Sequence, residues 1–143
     1  MMIQGLEKYK ATLLFFYNKV MLISYYNIPD KIKMAQAVII DYKGDTFLRK
    51  TKKGEKFGVG ELQLMVGGDY IFKPLSDLSS YTIKFQFDFE WFLIKKPYYL
   101  LNKYARQIPL TPNEKGREIL KRAGIMDLPL GNFVIVGKKY LPL

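Results

Sequence analysis

A run of strictly alternating apolar and polar residues, from Tyr81 to Trp91, is the feature that most constrains the fold of this chain. Every odd-numbered residue of the run is apolar, and every even-numbered residue is polar. Because successive side chains of a β-strand point to opposite faces, the pattern predicts one long strand with its aromatic row in a core. Burial on one face favours an antiparallel sheet over a doubly wound parallel one.

Shorter apolar segments beside turn-forming residues predict further strands. Gln36–Asp41 and Thr46–Lys50 are predicted to form a hairpin around a Lys-Gly-Asp turn. Leu62–Val66 and Tyr70–Lys73 predict a second hairpin around a Gly-Gly-Asp turn. The apolar segment Asn132–Lys138 predicts a short buried strand near the end of the chain.

Helices are predicted in three places. A Thr-Pro-Asn-Glu capping box starts one at Thr111, and Gly124 is placed to end it. The other two predicted helices are Tyr98–Arg106 and the segment from about Leu6 to Tyr17. Val20–Tyr26 is predicted to form a strand. The sequence therefore predicts a single α+β domain, residues 1–143, with a mainly antiparallel sheet flanked by two or three helices.

The composition excludes several kinds of chemistry. The 143 residues include neither cysteine nor histidine, so disulfides, thiolate or histidine zinc sites and histidine-based triads are all absent. No apolar run approaches the roughly 18 residues that a membrane span requires. The cysteine-free composition agrees with an intracellular protein, and the abundance of tyrosine, phenylalanine, isoleucine and lysine suggests an AT-rich genome. A viral or mobile-element accessory protein is therefore expected.

The formal net charge of +10 is concentrated in two segments. Residues 43 to 56 contain six basic residues and two acidic ones, and residues 95 to 122 contain eight basic residues and two acidic ones. Elsewhere the basic and acidic residues are equal in number. A localised basic excess attracts polyanions, of which nucleic acid is the commonest.

The leading functional prediction is nucleic-acid binding without catalysis or a cofactor. Basic residues supply phosphate contacts, and tyrosines beside them can stack on bases, as suits single strands. The predicted phosphate contacts are Arg49, Lys50, Lys52, Lys53, Arg106, Arg117, Lys121 and Arg122. The predicted stacking residues are Tyr98, Tyr99 and Tyr104.

The first third of the chain offers an alternative. Glu7 on a predicted helix, Asp30 after a predicted strand, and Asp41 and Lys43 at the end of an apolar strand together resemble the PD-(D/E)xK nuclease superfamily. The resemblance implies that Asp30 and Asp41 hold a divalent metal such as Mg²⁺, a cation that prefers carboxylate oxygens. It implies that Lys43 orients water or stabilises charge and that Glu7 assists.

A third hypothesis is a structural subunit of a larger assembly. The assembly would be, for example, a virion or a ribonucleoprotein, in which the basic segments meet an acidic neighbour. Homo-oligomer formation belongs to the same hypothesis. The sequence alone does not decide between these functions, and it leaves open whether Met1 or Met34 begins the functional chain.

Overall fold

A computed structural model describes residues 12–16, 19–21, 32–52, 54–78 and 80–143 of the chain. The strands in chain order are β1 (Thr12–Phe16), β2 (Lys19–Met21), β3 (Lys33–Met34), β4 (Ala37–Ile40), β5 (Thr46–Arg49), β6 (Tyr70–Pro74), β7 (Thr82–Phe87), β8 (Glu90–Lys95), β9 (Pro97–Asn102) and β10 (Phe133–Gly137). The helices are α1 (Val59–Val66) and α2 (Glu114–Arg122), and a 3₁₀ turn covers Lys138–Tyr140. No helix in these ranges is long and apolar enough to cross a membrane.

The strands form two five-stranded sheets. The first sheet has the order β2-β1-β7-β8-β3 and is mixed, because the β1–β7 and β3–β8 pairs are parallel. The second sheet has the order β5-β4-β10-β9-β6, and every neighbouring pair in it is antiparallel. The expected α+β class and the mostly antiparallel pairing are confirmed, with the first sheet as the exception.

The second sheet lies in the middle of the molecule because its central strands are apolar on both faces. Every residue of β4 and β10 is buried. Val38 and Ile135 pack in one core together with Phe85 of the first sheet, and this core also includes the apolar face of α2. On the opposite face of the second sheet, Ile39 packs in another core with Leu62 of α1.

The alternating run from Tyr81 to Trp91 forms a hairpin, so the prediction of one unbroken strand is wrong. Asp88 and Phe89 have φ angles of 52° and 63° and make a two-residue turn, after which Glu90 pairs with Phe87. The turn contains no glycine, and its Asp-Phe pair continues the alternation, so the sequence gives no sign of it. The core-facing residues are odd-numbered before the turn and even-numbered after it. Phe92 therefore joins the core, while Phe89 in the turn is 91% exposed.

Leu62–Val66 is part of α1, so the prediction of a hairpin strand there is also wrong. Leu62, Met65 and Val66 are buried, which is the i, i+3, i+4 spacing of a helix packed on one side. The carboxylate of Glu61 accepts a hydrogen bond from the Gly58 backbone N–H at 2.9 Å at the start of the helix. Gly67 ends the helix in the left-handed conformation, with φ 91°.

Two other predicted helices are corrected. The first half of Tyr98–Arg106 belongs to β9, because its apolar residues fit between β10 and β6 in the second sheet. The segment predicted as helix from Leu6 to Tyr17 contains β1, whose strand pairs with β7. Its remaining residues, like residues 22–26 of the strand predicted at Val20–Tyr26, lie outside the described ranges.

The helix predicted from Thr111 is confirmed, but its cap is displaced by two residues. The N-cap is Asn113, whose side-chain oxygen accepts a hydrogen bond from the Gly116 N–H at 2.9 Å. Gly124 follows the helix in the left-handed conformation, with φ 83°, as expected. The hairpin of β4 and β5 and the strand at β10 are also confirmed.

Candidate nucleic-acid interface

One row of paired residues marks an end of the second sheet. Arg49 lies opposite Ala37, Ala37 opposite Val136, Val136 opposite Tyr98, and Tyr98 opposite Pro74. The row therefore crosses all five strands, and with about 4.8 Å between strands it is roughly 20 Å wide. At this end of the sheet, β5 and β10 are followed by loops that contain basic residues. Two lysines, Lys95 and Lys96, directly precede β9.

We name this end of the sheet the basic end. Its cations come from four separate places in the chain, and Glu55 and Asp77 are the carboxylates beside them. The basic residues are Arg49, Lys50, Lys52, Lys56, Lys95, Lys96, Lys138 and Lys139. All eight are exposed, and the ion pairs within the described ranges lie elsewhere, at Lys33–Glu90, Arg117–Glu114 and Arg122–Glu118.

Hydrogen bonds to backbone carbonyls hold these loops together at the basic end. The Lys138 N–H donates to the Lys96 carbonyl at 3.0 Å, which joins the end of β10 to the start of β9. The ammonium of Lys56 donates to the Leu141 carbonyl at 3.0 Å, and the Phe57 N–H donates to the Tyr140 carbonyl at 2.9 Å. The backbone that carries these cations is therefore held by hydrogen bonds, whereas the cationic side chains are exposed to solvent.

At the opposite end of the second sheet, around the β4–β5 turn and α2, three of the cations have acidic partners. The Lys115 ammonium donates to the Gly44 carbonyl at 2.6 Å and lies near Asp45 and Asp41. Burial lowers the pKa of Lys115, while the two aspartates act to raise it. Arg117 is paired with Glu114 at 3.6 Å, and Arg122 with Glu118 at 3.7 Å.

The fold thus divides each basic segment of the sequence between the two ends. Of the residues predicted to contact phosphates, the basic end contains Arg49, Lys50 and Lys52. The other end contains Arg106, Arg117, Lys121 and Arg122, and Lys53 lies outside the described residues. The sequence analysis missed Lys138 and Lys139, which come directly after the buried strand β10 and lie beside Lys96.

The three tyrosines predicted to stack on bases have different environments. Tyr98 is half-buried at the basic end, with its ring centroid 6.0 Å from that of Phe72. Tyr99 is only 4% exposed and stacks on Phe133 inside the core, so its ring is not accessible to a base. Tyr104 is exposed but lies at the opposite end, beyond β9.

Two of the four residues of the nuclease pattern are described. One carboxylate oxygen of Asp41 accepts the N–H groups of Lys43 and Asp45, at 2.9 Å each, and so closes the β4–β5 turn. Lys43 is exposed on that turn, with its ammonium 5.8 Å from the centroid of the Tyr42 ring. Glu7 and Asp30 lie outside the described ranges, within which no three carboxylates are grouped as metal ligands would be.

No family model matches the chain, and no curated protein or solved structure is significantly similar to it.

Proposed function

We propose that this protein binds nucleic acid through the basic end and acts without catalysis. The observation that carries the proposal is the grouping of eight exposed cations, outside any described ion pair, around one end of the second sheet. Uncompensated like charges repel one another, and a polyanion relieves this repulsion by taking the place of condensed counterions. The width of roughly 20 Å would cover several successive phosphates of a strand.

The proposal predicts binding with a steep dependence on salt. Neutralising four lysines of the basic end, Lys95, Lys96, Lys138 and Lys139, to glutamine is expected to reduce the slope of log K against log salt by about 3 for a single strand. The measurement is fluorescence anisotropy with labelled oligonucleotides over a range of sodium chloride concentrations.

A matched variant carries the same change of charge at the opposite end, with Lys43, Lys103, Arg106 and Lys121 changed to glutamine. It is expected to retain most of the slope, because those residues lie at the opposite end of the second sheet, away from the proposed contact surface. Equal losses in the two variants would contradict the assignment to the basic end. No binding of the unmodified protein at low salt would overturn the proposed function itself.

The nuclease alternative depends on Asp41, whose second carboxylate oxygen is left for a metal ion after the first has closed the turn. Incubating the protein with single- and double-stranded substrates and Mg²⁺ tests it directly. We expect intact substrate, whereas cleavage that the Asp41→Ala change abolishes would replace the binding proposal with the nuclease. The structural-subunit alternative predicts a stable large oligomer in light scattering, and a monomer would count against it.

A further inference from the structure

A depression of about 310 Å³ lies at the basic end, between the end of β6 and the start of β9. Its wall contains two cations, Lys96 and Lys138, one carboxylate, Asp77, and two tyrosines, Tyr81 and Tyr98. This volume is at the lower limit of the roughly 300–1,000 Å³ typical of small-molecule pockets. The depression therefore has room for one small ligand and is too small for a duplex.

Three residues of the wall are joined by backbone hydrogen bonds. The Lys96 N–H donates to the Tyr81 carbonyl at 3.1 Å, and the Lys138 N–H donates to the Lys96 carbonyl at 3.0 Å. Lys96 has a left-handed backbone, with φ 47°, where the chain passes from the first sheet to the second. A side chain other than glycine is strained there, and strain of this kind is concentrated at functional sites.

Tyr81 belongs to the wall of the depression, but its hydroxyl does not open into it. Tyr81 is only 6% exposed, and its hydroxyl has no hydrogen-bond partner in the described part of the chain. Burial raises the pKa of Tyr81 to about 12, so the hydroxyl keeps its proton and remains a donor at neutral pH. The charged groups that a ligand can reach in the depression are therefore those of Lys96, Lys138 and Asp77, all of which are exposed.

We infer that this depression binds one phosphorylated nucleoside unit of a single strand, with its phosphate between the ammonium groups of Lys96 and Lys138. The half-buried ring of Tyr98 is placed to contact the base, and the exposed carboxylate of Asp77 to accept a sugar hydroxyl or a base amine. A base must leave the stack to enter such a space, which favours single strands over duplex. This inference rests on the proposed function and assigns it a substrate class.

The test uses adenosine 5′-monophosphate and inorganic phosphate as probes, titrated into the full chain and followed by NMR. Saturable shifts around the depression are expected with the mononucleotide. Lys96→Gln and Lys138→Gln are each expected to weaken its binding by ~10-fold, the loss typical of a charge-assisted contact. Tyr98→Leu is expected to weaken the mononucleotide and to leave inorganic phosphate unchanged.

Lys52→Gln neutralises a cation of the basic end outside the depression. It is expected to weaken oligonucleotide binding while changing mononucleotide binding less than about twofold. Two results would show that the depression is not a nucleotide site while leaving the proposed function in place. In the first, oligonucleotides bind but mononucleotide binding does not saturate. In the second, Lys52→Gln weakens mononucleotide binding as much as Lys96→Gln does. If the mononucleotide binds with the expected pattern while oligonucleotides do not bind, the depression is supported and the proposed function fails.

Discussion

The side chain of Asn113 connects α2, β4 and the loop before β10, and its removal tests how these three parts of the fold pack together. Asn113 is fully buried. Its amide donates to the Ile40 carbonyl at 2.8 Å and to the Gly131 carbonyl at 2.9 Å, and its oxygen accepts the Gly116 N–H at 2.9 Å. One residue thus caps α2 and connects it to β4 and to the loop before β10.

Asn113→Ala is expected to lower the free energy of unfolding by about 3 kcal/mol, because each of the three buried hydrogen bonds contributes roughly 0.5–1.5 kcal/mol and their partners are left unpaired. For a chain of this length that corresponds to a fall of ~10 °C in Tm. The measurement is urea denaturation followed by circular dichroism, with a thermal scan beside it. Asn113→Asp keeps the cap oxygen but loses both donations, so it is expected to be at least as unstable as the alanine variant.

Thr111→Ala is the matched control, because the sequence predicts Thr111 as the cap. Thr111 is exposed, and the hydrogen bond that its carbonyl accepts from the Gly131 N–H at 2.7 Å is retained by alanine. The expected loss is below about 0.5 kcal/mol. A loss under about 1 kcal/mol for Asn113→Ala, or a larger loss for Thr111→Ala, would refute the argument, since a buried triple contact cannot be that weak.

Four other substitutions test particular environments in the structure. Gly116→Ala is expected to destabilise the protein by about 1–3 kcal/mol although alanine has the better helix propensity, because the added Cβ would lie 2.8 Å from the Phe133 ring. Gly60→Ala is the control: its Cβ would lie in open space, so it should stabilise the protein by ~0.5–1 kcal/mol in the same urea assay. Phe89→Gly is expected to stabilise by about 1 kcal/mol, because glycine suits φ 63°; a loss of stability would favour an unbroken strand. Burial raises the pKa of Tyr81 from an ordinary value of 10.0 to about 12 in the folded chain, so its contribution to stability is complete below pH 10 and is lost as pH rises toward 12. Denaturation from pH 9 to 12 should therefore show a shallower alkaline loss in Tyr81→Phe, and equal slopes would contradict the assignment.

The strands and helices that the sequence predicts correctly are those whose signal is local. A hairpin such as β4–β5 depends on an apolar run and a turn of suitable residues, which stand next to one another in the chain. The start of α2 was located to within a few residues by its Thr-Pro-Asn-Glu sequence. Asn113 became the cap because its amide also reaches Ile40 and Gly131, which only the folded chain brings near.

The elements that were predicted wrongly depend on contacts distant in sequence. Leu62–Val66 suits either a strand or a helix by composition, and packing of Leu62, Met65 and Val66 on the second sheet selects the helix. The apolar run at β9 is a strand because β10 and β6 pair with its two edges. Propensity is a weak local preference, and these pairings override it.

By itself the sequence determined the α+β class, the mostly antiparallel pairing and the amount of positive charge, because composition and periodicity are properties of the chain alone. Only the tertiary structure decided where that charge acts. Strand order places Lys138 beside Lys96 and separates Lys43 from Arg49, although the second pair is much closer in sequence. A potential depends on distance in space, so the basic end exists only once the second sheet has formed.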